Sequence, residues 1–169
     1  MVLLIDTTEN KVGRRVAEAL TVNGRVPDDY ELVDTNGMNI SHCIGCNYCW
    51  LKTPGVCTIN DDYEPLLRKI SAADQVWLIA DTKFGFVSYK AKNIVDRLMP
   101  LATMYLHFKN GMMRHVMRYD KTPDWGVIYT GEGDEEYLDR WCEKVAVNFD
   151  AQSLGAFSEN KIQEAVLCM

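Results

Sequence analysis

The stretch VWLIADTKFGFVSYKAKNIVDRL, from Val76 to Leu98, decides the fold. Val76–Ala80 is an unbroken apolar run, which reads as a strand buried on both faces. A loop with a glycine follows from Asp81, and from Ser88 apolar residues return at helical spacing, with Ile94, Val95, Leu98 and Leu101 on one face. Pro100 falls inside that pattern and should kink or divide the helix. Strand, loop and helix in this order begin a βαβ unit, so a parallel sheet is expected.

The same alternation extends outward in both directions. Val2–Ile5 reads as a buried first strand, and Lys11–Asn23 as a helix through Val12, Val16, Ala19 and Leu20, stopped by Gly24. Glu31–Asp34 is a weaker second strand, and Asp61 or Asp62 can cap a helix through Leu66, Leu67 and Ile70. Residues 107–123 are expected to be an irregular excursion. Trp125–Thr130 is a fourth strand, followed by a helix capped by Asp134 and running through Tyr137, Leu138, Trp141 and Val145. A strand near Ser153–Phe157 and a helix from about Lys161 complete the pattern. Neither a repeat nor a linker divides the chain. The expectation is one α/β domain over residues 1–169, a doubly wound three-layer sandwich with five parallel strands. Ligands of such sheets sit beyond the carboxyl ends of the strands, so the loops that matter are Asp6–Lys11, Asp81–Ser88 and Thr130–Asp134.

Composition narrows the function. A content of 47% apolar and 25% charged residues fits a globular protein, and a net charge of −6 argues against nucleic-acid or anionic-membrane surfaces. The apolar run at the N-terminus is too short for a signal core or a membrane span. A cytoplasmic protein is expected, in which cysteines stay reduced.

Four of the six cysteines lie within residues 43–57, in CIGCNYCWLKTPGVC. Cys43, Cys46, Cys49 and Cys57 have the spacing C-x2-C-x2-C-x7-C, which lets successive thiolates turn around one centre, with Pro54-Gly55 bringing back the fourth. An iron–sulfur cluster, a four-thiolate zinc site and a metal-free loop are the alternatives. The loop follows strand two and should open on the ligand edge of the sheet. Cys142, in a helical pattern, reads as a small core residue.

Each of the three edge loops has candidates. Thr7, Thr8, Asn10 and Lys11, with amides at the start of the first helix, are placed to hold a phosphate, although Glu9 opposes an anion there. Thr82, Lys83, Phe84, Gly85 and Phe86 form the second loop, where Gly85 permits close approach and the phenylalanines can border a flat ring. Gly131 supplies the third, in an acidic turn that equally reads as a simple bend before the Asp134 cap. His107 and His115 flank the turn FKNGMMR without a carboxylate or cysteine partner at a telling distance. Ser-His-Asp, Walker and H-E-x-x-H patterns are absent, so those hydrolytic classes have no support.

The block CIGCNYCWLKTPGVCTINDDY resembles the cysteine loop of iron–sulfur flavoproteins and related flavodoxin-like, NAD(P)H-dependent FMN reductases. FGFVSYKAKNIVDRLMPL is similar to that group's second flavin loop and following helix, and NGMMRHVMRY to a segment of one branch. The resemblance implies a flavodoxin-like sheet of order 2-1-3-4-5, FMN at the strand ends, a 4Fe–4S cluster on the four cysteines, NAD(P)H as electron donor, and a homodimer or homotetramer. It implies a small-molecule redox substrate or an electron-transfer protein as partner. Two departures stand out: the usual G-S-P-R-x-x-G-N-T phosphate loop is here Asp6–Lys11, and the T-P-x-Y start of the second loop is Ala80-Asp81-Thr82-Lys83. They motivate a rival function, a flavodoxin-like domain with a degenerate FMN site that serves as a redox-sensing or binding module.

Overall fold

The computed structural model describes residues 1–169, apart from the side chain of Pro27. In chain order the elements are β1 (Val2–Asp6), α1 (Val12–Val22), β2 (Tyr30–Asp34), α2 (Tyr48–Leu51), α3 (Tyr63–Ala72), β3 (Gln75–Lys83) and β4 (Phe86–Val87). There follow α4 (Tyr89–Asp96), β5 (Ala102–Lys109), β6 (Met112–Met117), β7 (Asp124–Thr130), α5 (Glu135–Asn148), β8 (Ser153–Ser158) and α6 (Ile162–Val166). The main sheet runs β2-β1-β3-β7-β8 with every one of these pairs parallel, which is the expected flavodoxin-like order 2-1-3-4-5. β4 adds a short antiparallel flap to β3.

Side chains alternate across the pleat, so the buried strands feed two cores. Leu3, Ile5, Val76, Leu78 and Val127 face a layer built by Tyr63, Leu66, Ile70, Ile94 and Leu138. Val2, Leu4, Trp77, Ile79 and Ile128 face the opposite layer, built by Val16, Leu20, Ile162 and Ala165. The apolar runs of β1 and β3 are continuous because both faces are covered. No helix among the described residues is long and apolar enough to cross a membrane.

Two expectations are narrowed and one is corrected. The helix from Ser88 ends at Asp96 rather than passing through Leu98 and Leu101; Pro100 heads a separate 3-10 turn, Met99–Leu101, because its ring and missing N–H cannot continue an α-helix. The predicted excursion is largely an antiparallel hairpin, β5–β6. Its turn, Asn110-Gly111, takes positive φ at both residues (51° and 76°), the geometry that matches the twist of paired strands. At the start of α3, Asp61 rather than Asp62 receives the Tyr63 N–H, at 3.1 Å. Asp134 caps α5 as expected, accepting the Tyr137 N–H at 3.0 Å.

Candidate functional site

The three edge loops and the cysteine loop all leave the carboxyl ends of parallel strands. α4 links them, with three cavities along its length. The first, about 240 Å³, lies between loops one and two and is lined by Glu9, Asp81, Lys83, Ser88, Tyr89 and Lys90. The second, about 310 Å³, shares Tyr89 and Lys90 and continues past Asn36 and Ile40 to Ile94. The third, about 300 Å³, is lined by all four clustered cysteines together with Asp96 and Met99 at the far end of the helix.

The first loop is held by its own side chains. Asp6 is 1% exposed, and its carboxylate accepts the Thr8 N–H at 2.9 Å, the Thr8 hydroxyl at 2.6 Å and the Gly13 N–H at 2.8 Å. The Thr8 oxygen in turn accepts the Val12 N–H at 2.9 Å. Thr7 gives both its N–H and its hydroxyl to the Ile79 carbonyl, at 2.9 and 3.0 Å. Asp81 takes the Glu9 N–H at 3.0 Å. Lys11 is exposed and pairs with Asp34 at 3.3 Å, while Asn10 faces solvent. The Thr7 and Thr8 groups expected to receive a phosphate are thus turned inward, onto the Asp6 carboxylate and the Ile79 carbonyl, while Asp81 takes the Glu9 amide. The roles of Asp6 and Asp81 were not read from the sequence; the only local signal is an aspartate ending each buried strand.

The second loop has a different character. Phe84 and Gly85 form a two-residue turn with φ of 55° and 78°, pairing Lys83 with Phe86. Positive φ is uncommon for phenylalanine, and Phe84 is 96% exposed with Lys83 Nζ 5.8 Å from its ring. Phe86, on the other side of the turn, packs against Tyr137 and Trp141 with ring centroids 5.4 and 5.1 Å away, so it belongs to the α5 layer. A Cβ on Gly85 would meet nothing closer than Asp134 Cβ at 4.0 Å, leaving this face open to a flat group. Thr82 ties the second loop to the third by donating to the Thr130 carbonyl at 2.9 Å, and a Cβ on Gly131 would lie 2.8 Å from that hydroxyl. Gly131 therefore serves loop packing. His115 contacts the Thr103 carbonyl through Nδ1 and lies 4.6 Å from the Trp50 ring, within the hairpin and cysteine-loop scaffold.

The cysteine loop is anchored at both ends. The Ser41 N–H bonds to Asp61 at 2.9 Å, and Arg97 pairs with Asp61 while donating to the Ser41 carbonyl at 3.2 Å. Trp50 Nε1 donates to Met99 O at 2.8 Å. Arg97 is buried, and among the described residues its Nε and Nη2 have no hydrogen-bond partner. Burial works against its charge, but Asp61 and the Cys57 sulfur outweigh that and hold its pKa above the ordinary value. Burial first, then the charge of the other three thiols, pushes the Cys49 thiol up. All six cysteines are free, and no group of three or more His, Cys, Asp or Glu among the described residues converges tightly enough for a single metal ion.

The cofactors implied by the resemblance fit unevenly. The open face at Gly85 and the exposed Phe84 fit a flavin ring, whereas the first loop does not fit a phosphate. The shared cavity of the four thiols and the two Arg97 nitrogens without a hydrogen-bond partner fit a compact anionic group.

Comparison with known proteins agrees with the fold. No family model matches the chain. An iron–sulfur flavoprotein of Methanocaldococcus jannaschii is 36% identical over 86 residues, 51% of this chain and 44% of that protein. The chain thus spans less than half the length of the curated relatives it matches. Among solved structures, an NAD(P)H:quinone oxidoreductase from Methanothermobacter marburgensis superposes with a TM-score of 0.61, at 13% identity over 98% of this chain and 96% of that one. Megasphaera elsdenii flavodoxin does so with a TM-score of 0.52, at 12% identity over 98% of both chains. The flavodoxin-like fold is established by these likenesses, and the similarity to iron–sulfur flavoproteins runs over 67–86 residues of the chain.

Proposed function

We propose that the chain is a flavin-dependent oxidoreductase that moves electrons between a nicotinamide or other donor and a small redox substrate or electron-transfer protein, in the cytoplasm. The observation that carries this is the row of cavities along α4, from the one between the first and second loops, beside Asp81, Lys83 and Ser88, to the four cysteines. The relatives named as iron–sulfur flavoprotein and NAD(P)H:quinone oxidoreductase support it.

A bound flavin supplies hydride and single-electron chemistry. This chain's residues would do the rest. Gly85 would leave the ring face unobstructed, and the exposed Phe84 and Tyr89 would border it. Lys83, which makes no ion pair among the described residues, lines the first cavity and lies 5.8 Å from the Phe84 ring, where its positive charge would favour a reduced, anionic ring. The cysteine cavity is assigned to an iron–sulfur cluster held by Cys43, Cys46, Cys49 and Cys57, with Arg97 balancing its charge at Cys57. Iron and sulfide reconstitution under anaerobic conditions tests this part. Wild type should retain both, Cys57→Ser should lose most of the iron, and a protein that takes up neither contradicts the assignment.

Flavin binding tests the main proposal. Quenching of flavin fluorescence on titration is expected, weakened severalfold in Phe84→Ala. Failure of every flavin to bind would remove the proposal and favour a module without cofactor, the reading that the altered first loop motivates.

A further inference from the structure

The first loop is already filled by anions of the protein's own. Asp6 occupies the place at the start of α1 where helix amides and the helix dipole favour a negative group, and it takes the Thr8 and Gly13 N–H groups there. Asp81 takes the Glu9 N–H, reaching across from the end of β3. Val12 N–H is given to Thr8, and Thr7 to Ile79. The cations of the first loop and of α4 are engaged, Lys11 with Asp34 at 3.3 Å and Lys90 with Glu9 at 3.8 Å. That leaves Lys83 of the second loop, assigned above to the flavin ring, as the neighbouring cation without an ion pair among the described residues. A phosphate dianion entering this loop would find few unengaged donors and three carboxylates, Asp6, Asp81 and Glu9.

The adjoining cavity adds hydrogen-bond acceptors beside the cations Lys83 and Lys90. Its lining includes Glu9, Asp81 and Ser88, and among the described residues the buried Ser88 hydroxyl oxygen has no hydrogen-bond partner. The carboxylates accept from the O–H groups of a polyol, which a phosphate dianion cannot offer, and the Ser88 hydroxyl can pair with either group, so the discrimination falls to Glu9 and Asp81.

We infer that the site selects a flavin bearing an uncharged polyol chain over its 5′-phosphate ester, with Asp81 and Glu9 as specificity-determining residues. The inference rests on the flavin site proposed above and narrows its ligand to riboflavin or a similar dephosphorylated flavin. The ring would be held at the second loop, and the ribityl hydroxyls would turn to Glu9, Asp81 and Ser88. Asp6, more deeply buried, fixes the loop in its closed form. A flavin held without its phosphate has one charged anchor fewer and exchanges more readily, which suits a flavin that is reduced and released.

Parallel titrations with riboflavin, FMN and lumiflavin, which lacks the polyol, test this by fluorescence quenching at low ionic strength. Wild type should bind riboflavin about tenfold more tightly than FMN, and lumiflavin less tightly than riboflavin. Glu9→Gln and Asp81→Asn each remove a charge; Asp81→Asn keeps an acceptor for the Glu9 N–H, so the loop is not forced open. Each should move the FMN-to-riboflavin ratio toward FMN, and the double variant by about tenfold or more. Tighter binding of FMN than riboflavin by wild type, or a ratio unmoved in the double variant, overturns the inference while leaving the flavin site intact. If none of the three ligands binds, the flavin site itself is refuted and the selectivity with it.

Discussion

Arg97 and Asp61 form an ion pair in which the side chains are only 1% and 2% exposed, and the guanidinium lies 4.3 Å from the centroid of the Tyr63 ring. The pair joins the end of α4 to both ends of the cysteine loop. Burying two charges is costly, and the arrangement is stable only while both are present. Arg97→Leu leaves Asp61 buried without its cation and should cost about 3–5 kcal/mol in urea unfolding at neutral pH. The double variant Arg97→Leu/Asp61→Leu should recover much of that loss. A single-variant loss under about 1 kcal/mol would place the pair in the range of surface salt bridges and refute this role.

Gly126, in the centre of β7, leaves room for Trp77 of β3. A Cβ there would lie 2.4 Å from the indole. Trp77 is fully buried between β1 and β7 and has nowhere to retreat. Gly126→Ala should destabilise by at least about 1–3 kcal/mol, the usual range for overpacking, with reduced near-ultraviolet dichroism from a disordered tryptophan. A neutral result would show that the core yields more easily than its packing indicates.

Cys142 is 1% exposed, and burial pushes its thiol up to about 11 from an ordinary 9.0. The folded state therefore holds this proton more tightly than the unfolded chain. Its contribution is complete below pH 9 and is lost as pH rises toward 11, because the unfolded thiol ionises first. Stability should fall across that window by up to about 2–3 kcal/mol more in wild type than in Cys142→Ala, in paired denaturant melts. At pH 8 an alkylating reagent should modify the exposed Cys168 and spare Cys142. Equal rates at the two positions would contradict the buried assignment.

The β5–β6 hairpin projects Tyr105, Leu106, Phe108 and Met113, which are 54–75% exposed. Such a cluster on a two-stranded ribbon is costly in water unless another surface covers it. We propose a second copy of this chain as the covering surface, forming the homodimer or homotetramer that the resemblance implies. Sedimentation should show an oligomer for wild type and a folded monomer for Leu106→Glu/Phe108→Glu. A monomeric wild type at tens of micromolar, with the hairpin intact, would exclude it.

The central sheet was legible because β1 and β3 are continuous apolar runs, and burial on both faces leaves few other readings. Asp134 was legible for a similar reason, since a cap acts on an amide three residues away. The hairpin was not. Asn110-Gly111 marked its turn, yet its strands carry apolar groups on an outward face and lack the alternation of a half-buried strand. The two phenylalanines of loop two could not be separated in sequence either. Only the turn geometry sends Phe86 to α5 and leaves Phe84 in solvent. The closure of the first loop was hidden for the simplest reason: Glu9 and Asp81 meet across 72 residues, and no local pattern announces such a bond.

The most direct measurement is anaerobic reduction of flavin by NADH or NADPH in the presence of the protein, followed by loss of the visible flavin absorbance. The account predicts that the bound flavin bleaches far faster than free flavin under the same conditions, and that a quinone restores its colour. A protein that binds no flavin, or whose bound flavin is reduced no faster than flavin in solution, would contradict the assignment as a flavin-dependent oxidoreductase.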